Sequence, residues 1–421
     1  MPPFQIFLMR VLLLTPMPPS PHGLQATPVL LHGLLSAVRE RHEVTLVTVA
    51  GPHPQDIEAA DALRASGLEV HAVPRVEATR WARARRWVDH TARWALGHLP
   101  MRTIWFHRPE VQETIDRLVA ERAFDLVHVE DNAMGVYRLP PGIPTLFGEH
   151  EVRTPRPVRW TEWLHDDEGA YRGLLDEIDW HRWANYQRTV WRRFDLIQVL
   201  TERDARTMER IDPELVGRVR VNPFAVEIPP LADSALEEDG TIVFTGGFLH
   251  SPNVEAARWL AGEIMTRLRT LHPGVRLRLV GNDPRGSLRD LAASDVEVVG
   301  WVPSMHAELA RAAVVVAPLR TGGGQRMKVL EAMASGKAVV TTARGATGLL
   351  RREGAPLPIA VAETAEEIAT QTAALLRDTA RRRALGASAR ELVAAQHGIE
   401  AYAARTEEAY TELLTRTSRS A

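Results

Sequence analysis

Short, nearly continuous apolar runs, separated by stretches of helical period, constrain this chain more than any other feature. RVLLLTP (10–16), HEVTLVTVA (42–50), LEVHAVP (68–74), FDLVHVE (124–130), PTLFGEH (144–150) and FDLIQVL (194–200) form one series. GTIVFTGG (240–247), VRLRLVGN (275–282), DVEVVGWVP (295–303), AAVVVAPL (312–319) and KAVVTTA (337–343) form a second. A strand sends successive side chains to opposite faces, so a run that is apolar at every position must be covered on both. Parallel sheets flanked by helices meet that demand, which predicts two α/β units. PFAVEIPPLADSALEEDG (223–240), proline-bearing, acidic and without period, reads as the linker between them. The expected domains are 9–222 and 241–395, followed by a closing helical segment, 396–421.

At 421 residues the chain exceeds one ordinary core. Charged residues at 25%, apolar residues at 45% and a net charge of −2 describe a soluble globular protein with no global pull toward nucleic acid. With no cysteine, thiolate catalysis, disulfides and thiolate metal sites are excluded. The 16 histidines contain no HExxH pair, so a metal, if used, would arrive with a substrate. The start, MPPFQIFLMRVLLLTP, lacks the basic region and cleavage site of a signal peptide, and MRVLLLTP from Met9 already reads as a first strand. Residues 1–8 are therefore expected to be dispensable. No stretch reaches the ~18 apolar residues of a membrane span, and the expected location is cytoplasmic.

Chemistry concentrates where two strands run into glycines. Lys and Arg number 51, yet only Lys328 and Lys337 are lysine, and both fall in LRTGGGQRMKVLEAMASGKAVV (319–340). Gly322, Gly323 and Gly324 would let backbone donors approach an anion at a helix N-terminus; Arg326 can bind two of its oxygens and Lys328 adds a point charge. Glu331, three residues after Lys328, shares its helix face and is placed to accept from ribose hydroxyls; the structural alternative is an i,i+3 ion pair. Lys337, after Ser335-Gly336, reads as a helix-end cation without a chemical role. The other loop, Gly246-Gly247, precedes a helix in which Ser251 is expected to cap and Pro252 to open. Val254, Ala257, Ala261, Ile264, Leu268 and Leu271 give that helix one apolar stripe. No GxGxxG follows, which argues against a dinucleotide site. The Trp301-Val302-Pro303 turn could hold a planar base, or be a loop with packed edges.

These residues carry a resemblance. GGFLHSPNVEAARWLAGE, LVGNDP, VEVVGWVP and LARAAVVVAPLRTGGGQRMKVLEAMASGKAVVTTARGATGL closely resemble the donor-binding domain of retaining family-four glycosyltransferases, the glycosyl transferases group 1. TPMPPSPHGLQAT, FDLVHVE, GEHEV and WRRFDLIQVLTERDARTM resemble the same family's acceptor-side domain, more loosely. The resemblance spans roughly residues 9–395. It implies the GT-B fold, two Rossmann-like doubly wound parallel-sheet domains facing a cleft, with the C-terminal helix returning to the first domain. It further implies a nucleotide-diphosphate sugar as donor, transfer to a sugar, lipid-linked or small-molecule acceptor with retained configuration, and no obligatory metal.

Residue by residue, the resemblance assigns Glu331 to the ribose. It puts Gly323 where the commonest pattern has a second glutamate, a variant familiar in one branch of the family. The family's phosphate-binding Arg and Lys usually follow the first glycine loop, where this chain has Phe248, Leu249 and His250; Arg326 and Lys328 are expected to supply that charge. His150 matches a histidine that faces the cleft and contacts the transferred sugar or the acceptor, with Glu149, Glu151 and Arg153 nearby. Gly23 is what remains of an acceptor-facing glycine pair. Within enzymes, a nucleotide-sugar epimerase or phosphorylase on this scaffold is the alternative, which incubation with donor alone separates. From another class, a non-catalytic nucleotide-sugar-binding subunit would bind without turnover.

Residues 75–108 hold eight arginines against Glu77 and Asp89, with Trp81, Trp87, Trp94 and Trp105 among them. Two readings stand. Trp81, Ala84, Val88, Ala92 and Ala95 could be the core-facing side of an ordinary helix, or the segment could lie peripherally on an anionic membrane surface or cradle a lipid-diphosphate acceptor. Nucleic acid is disfavoured by the overall charge.

Overall fold

The computed structural model describes residues 8–21, 26–51, 53–75, 79–154, 167–322, 324–350 and 356–420. Gly23, Glu77 and Gly323 lie outside them. The chain divides into two compact units, Met1–Phe224 with Tyr402–Ala421, and Ala225–Ala401. Each has the doubly wound parallel sheet of the GT-B fold.

In the first unit the strands are β1 (Arg10–Thr15), β2 (Glu43–Ala50), β3 (Glu69–Pro74), β4 (Leu126–Glu130), β5 (Thr145–Glu149), β6 (Leu196–Val199) and β7 (Val219–Val221). They pair in the order β3-β2-β1-β4-β5-β6-β7, all parallel. Leu12, Val47, Val127, Phe147 and Ile197 are buried on these strands, and each such side chain contributes about 1.5–3 kcal/mol. The last helix, Ile399–Ser420, lays Tyr402, Tyr410 and Leu413 into this unit's interior. Its polar contacts include Tyr410 with His128, Glu407 with His42, Thr406 with Asn222, and the Glu412 carboxylate with Arg220.

The second unit holds β8 (Thr241–Thr245), β9 (Arg276–Val280), β10 (Val296–Gly300), β11 (Val314–Ala317), β12 (Ala338–Thr341) and β13 (Ala360–Val361), ordered β10-β9-β8-β11-β12-β13. β7 and β13 were not anticipated. Three and two residues long, they give no run for an apolar pattern to mark.

Three local expectations are corrected. The helix after Gly246-Gly247 is capped by His250 rather than Ser251, with no side-chain cap hydrogen bond, so Ser251 and Pro252 are its first two residues. It runs Ser251–Trp259, passes through a π turn at Leu260–Ile264 and resumes as Met265–Leu271. The wider turn rotates the buried face, so Ala256, Leu260 and Met265 join Ala257, Ile264 and Leu268 inside. Lys337 is buried and acts on a different helix: its ammonium donates to the carbonyls of Ala310 and Ala312, both at 2.9 Å, where helix Met305–Arg311 ends. Glu237 sits 3.5 Å away, so the buried charge is compensated.

The third correction concerns helix Arg80–Leu96, which has no buried residue. Ala82, Arg86, His90 and Trp94, four apart, form its half-covered side. The Trp94 indole donates to Asp179 at 2.9 Å, and the Arg182 guanidinium lies over its ring. The stripe of Trp81, Ala84, Val88, Ala92 and Ala95 therefore points to solvent, with Trp81 86% exposed, which overturns the core-facing reading.

Candidate functional site

In the second sheet β8 pairs with β9 on one side and β11 on the other, so the chain leaves β8 and β11 in opposite senses. Loops diverge at such a switch point and leave a crevice at the carboxyl ends of the strands. Both glycine loops flank it. After β8 come Gly246 and Gly247, then Phe248, which buries itself near Phe244. After β11, Glu255 accepts from Arg320 at 2.9 Å and from Thr321 at 2.8 Å, tying the start of the second loop to the first loop's helix. Gly322 and Gly324 have φ of 100° and 71°, which side-chain-bearing residues rarely adopt.

Lys328 crosses from the second loop's helix to the first loop. Its ammonium donates to Asn253 Oδ1 at 2.7 Å, and Asn253 in turn donates to the Gly247 carbonyl at 2.8 Å. The ammonium lies 4.4 Å from the centre of the Phe244 ring, a cation–π contact. A β-carbon on Gly246 would come within 2.7 Å of it, so the glycine is what admits the lysine. Burial pulls this lysine down to about 7, against the attraction of Glu331 and assisted by Arg326. The Arg326 guanidinium packs over Gly322, where a β-carbon would stand 3.3 Å from it.

The Glu331 carboxylate makes neither a hydrogen bond nor an ion pair with Lys328, and none with any other described residue; its backbone carbonyl accepts from the Ser335 amide. Burial raises its carboxyl, with Lys328 pulling the other way. The i,i+3 ion pair is thus not formed; the lysine is drawn to Asn253 instead.

β10 ends at the same sheet edge. Gly281, with φ of 138°, donates to the Gly300 carbonyl at 2.8 Å, and its missing β-carbon would fall 1.9 Å from the Gly246 carbonyl oxygen. Trp301 follows, 64% exposed, beside half-buried Val302 and exposed Pro303. Among the described residues no hydrogen bond links these three side chains to the Lys328 cluster. Asn253 and Gly281 were missed by the sequence reading, although an Asn in the first helical turn and a glycine ending LRLV were visible.

The first unit gathers a second cluster where β4 and β5 end. Glu130 is buried and bridges two histidines: 2.8 Å to His128 and 2.5 Å to His150. Burial alone would raise its carboxyl, but hydrogen bonds and charge from both imidazoles hold it down at about 2. Asp131 has φ of 75° and pairs with Arg102 at 2.6 Å. Glu149 is buried; desolvation raises it to about 7 even though Trp191, Asn132 and the Glu151 amide donate to it. Of the crowded carboxylates, then, Glu149 points inward and Glu151 is exposed. The Arg153 guanidinium lies over the rings of Trp180 and Trp183 and pairs with Glu151 at 3.1 Å. His128, Glu130, Asp131 and Arg102 were not anticipated. Acidic residues closing the apolar run FDLVHVE were the available signal.

Two doubly wound parallel-sheet units, the second with a cationic, glycine-lined crevice at its switch point, define a GT-B protein. Residues 239–378 match the model of the family described as Glycosyl transferases group 1. No curated protein matches the chain. Among solved structures it is similar to HepE from Anabaena, in complex with UDP and glucose, with a TM-score of 0.61 and 13% identity over 96% of this chain and 99% of that one. The sucrose-phosphate synthase of Thermosynechococcus elongatus gives 0.58 and 16% over 97% and 100%. A glycosyltransferase from Rickettsia africae gives 0.61 and 12% over 97% and 99%. Identities this low establish the fold and leave substrates open. Among the described residues no helix is long and apolar enough to cross a membrane.

Proposed function

We propose that the chain is a retaining glycosyltransferase that binds a nucleoside-diphosphate sugar in the unit Ala225–Ala401 and passes the sugar to an acceptor bound by the other unit. The observation that carries this is Lys328, a largely desolvated ammonium held by Asn253 between the two glycine loops. An unpaired buried cation costs stability, and a diphosphate would compensate it. As the bond from sugar to phosphate breaks, negative charge grows on the diphosphate. Arg326, Lys328 and the loop amides of Gly246, Gly247, Gly322, Gly323 and Gly324 then stabilise it more in the transition state than in the ground state. Glu331 accepts from the ribose, and Trp301, Val302 and Pro303 hold the base; UDP, bound by the Anabaena HepE structure, is the first base to try. His150 contacts the sugar or the acceptor, and Arg153, stacked on two indoles, holds Glu151 in place there.

Incubating the protein with UDP-, GDP- and ADP-sugars and an acceptor panel tests this. Release of nucleoside diphosphate with acceptor-dependent glycoside formation, α from an α-linked donor, is expected, and Lys328→Ala should slow turnover by ~10²–10³. Wild-type turnover in a folded Lys328→Ala protein would remove Lys328 from the mechanism.

The protein's location is proposed as cytoplasmic and peripheral at the membrane. The exposed Trp81 stripe carries five arginines against Asp89 on one helix, which suits an anionic lipid surface. Vesicles containing phosphatidylglycerol should sediment the protein and phosphatidylcholine vesicles should not. The Trp81→Ser/Trp87→Ser variant should stay in the supernatant; equal binding to both lipids, or unchanged binding of the variant, would exclude this surface.

A further inference from the structure

We propose that Glu130 is a positioning residue that clamps one edge of His150. Its other oxygen is fixed by His128 and, through it, by Tyr410 of the C-terminal helix, so that His150 is presented as a cation with only Nδ1–H left for a ligand. The proposal rests on the reading of His150 as a site residue.

One oxygen of Glu130 is held from the side of the C-terminal helix and the other from His150. Burial raises the Tyr410 phenol well above its ordinary value, and its hydroxyl shares a hydrogen bond with His128 Nδ1 at 2.8 Å. His128 Nε2 faces the first oxygen of Glu130 at 2.8 Å, within ion-pair range but without hydrogen-bond alignment. The second oxygen of Glu130 is hydrogen-bonded to Nε2 of His150, which balances the buried carboxylate at close range. His150 is 15% exposed at its side chain. Its Nδ1 lies 3.8 Å from Asp131 Oδ2, beyond hydrogen-bond range, and that carboxylate is already engaged by Arg102 and the Ala133 amide. An imidazole whose Nε2 is held this way cannot serve as a base through it; it can donate through Nδ1.

The charges around the ring agree. Desolvation would lower His150, but Glu130, then Asp131 and Glu149, raise it above its ordinary value. The remaining neighbour is the Phe224 ring, edge-on at 4.9 Å, with Tyr402 behind it. The backbone makes room for the clamp. Gly148 pairs with Glu130 across β4 and β5, and a β-carbon there would come within 2.3 Å of the Glu130 carboxylate. His128 and Glu130, two apart on a strand, share the face that receives Tyr410.

Histidine NMR on the full-length protein tests this, with His150 identified by the signal lost in His150→Gln. The wild-type ring should titrate above the ordinary value of about 6.5. In Glu130→Gln the midpoint should move to lower pH, and Glu130→Asp should restore part of the shift. A wild-type midpoint at or below the ordinary value overturns the proposal without any variant, as does an unchanged midpoint in folded Glu130→Gln. In a transfer assay the alkaline limb of kcat/KM should move to lower pH in Glu130→Gln. The two readings fail separately: a clamped, cationic His150 in a protein that transfers no sugar sinks the enzymatic reading, and transfer with an unclamped His150 sinks the clamp.

Discussion

Lys328 is costly to the fold, and the proposed chemistry depends on it. Its folded value of about 7 lies below the ~10.4 of an unfolded lysine. Between these values the unfolded chain holds more protons, so unfolding takes up a proton and stability rises with pH across that window. Below pH 7 both states are charged and the full desolvation cost is present. Lys328→Met should therefore melt at a higher temperature than wild type near pH 7 while losing the stabilisation given by a nucleoside diphosphate, about 2.7 kcal/mol at 100 times the dissociation constant. Scanning fluorimetry with and without UDP reads both; a variant that melts lower, yet still gains from UDP, would show a structural lysine. Glu331→Gln should weaken UDP by ~10–150-fold, the ~1.5–3 kcal/mol of a hydrogen bond to a charged group, and calorimetry measures it. Residue type and spacing made Arg326, Lys328 and Glu331 visible in the sequence. Asn253 was not, because its role depends on where Lys328 folds back to, 75 positions away.

At the scale of elements, the glycines fix how closely strand ends approach. Gly281→Ala would place a methyl against the Gly246 carbonyl at a φ of 138°. It should cost at least ~1–3 kcal/mol by chemical denaturation and distort the first glycine loop. Tyr410→Phe keeps the ring but leaves buried His128 Nδ1 without its hydrogen-bond partner, a loss of ~1–3 kcal/mol. An unchanged denaturation midpoint would mean that the hydroxyl contributes nothing. The strands were legible because full burial imposes a continuous apolar run. The helix Arg80–Leu96 was not, since an apolar stripe looks the same whether it faces a core or a lipid surface. The π turn at Leu260–Ile264 was also hidden, because both faces of its helix carry apolar residues.

For the whole molecule, two sheets were readable because the apolar rhythm appears twice, and the site fell at the second sheet's switch point because chain order dictates it. The first unit's site was less legible. His150 stood out as a residue, but its partners Glu130, His128 and Tyr410 are joined by sheet pairing and by a helix 260 positions further on, which no local spacing encodes. Charge placement in the second unit has a global consequence: binding a diphosphate beside Lys328 should draw a proton from solvent, so affinity should fall as pH rises above about 7.

Calorimetric titration of nucleoside diphosphates into wild type and Lys328→Met at pH 8, in two buffers of different ionisation enthalpy, tests the central claim most directly. At least one of UDP, GDP and ADP should bind wild type with net proton uptake, and bind Lys328→Met at least ~10-fold more weakly with the uptake abolished. Equal affinity and equal proton uptake in the two proteins, or no binding of any of the three to wild type, would contradict it.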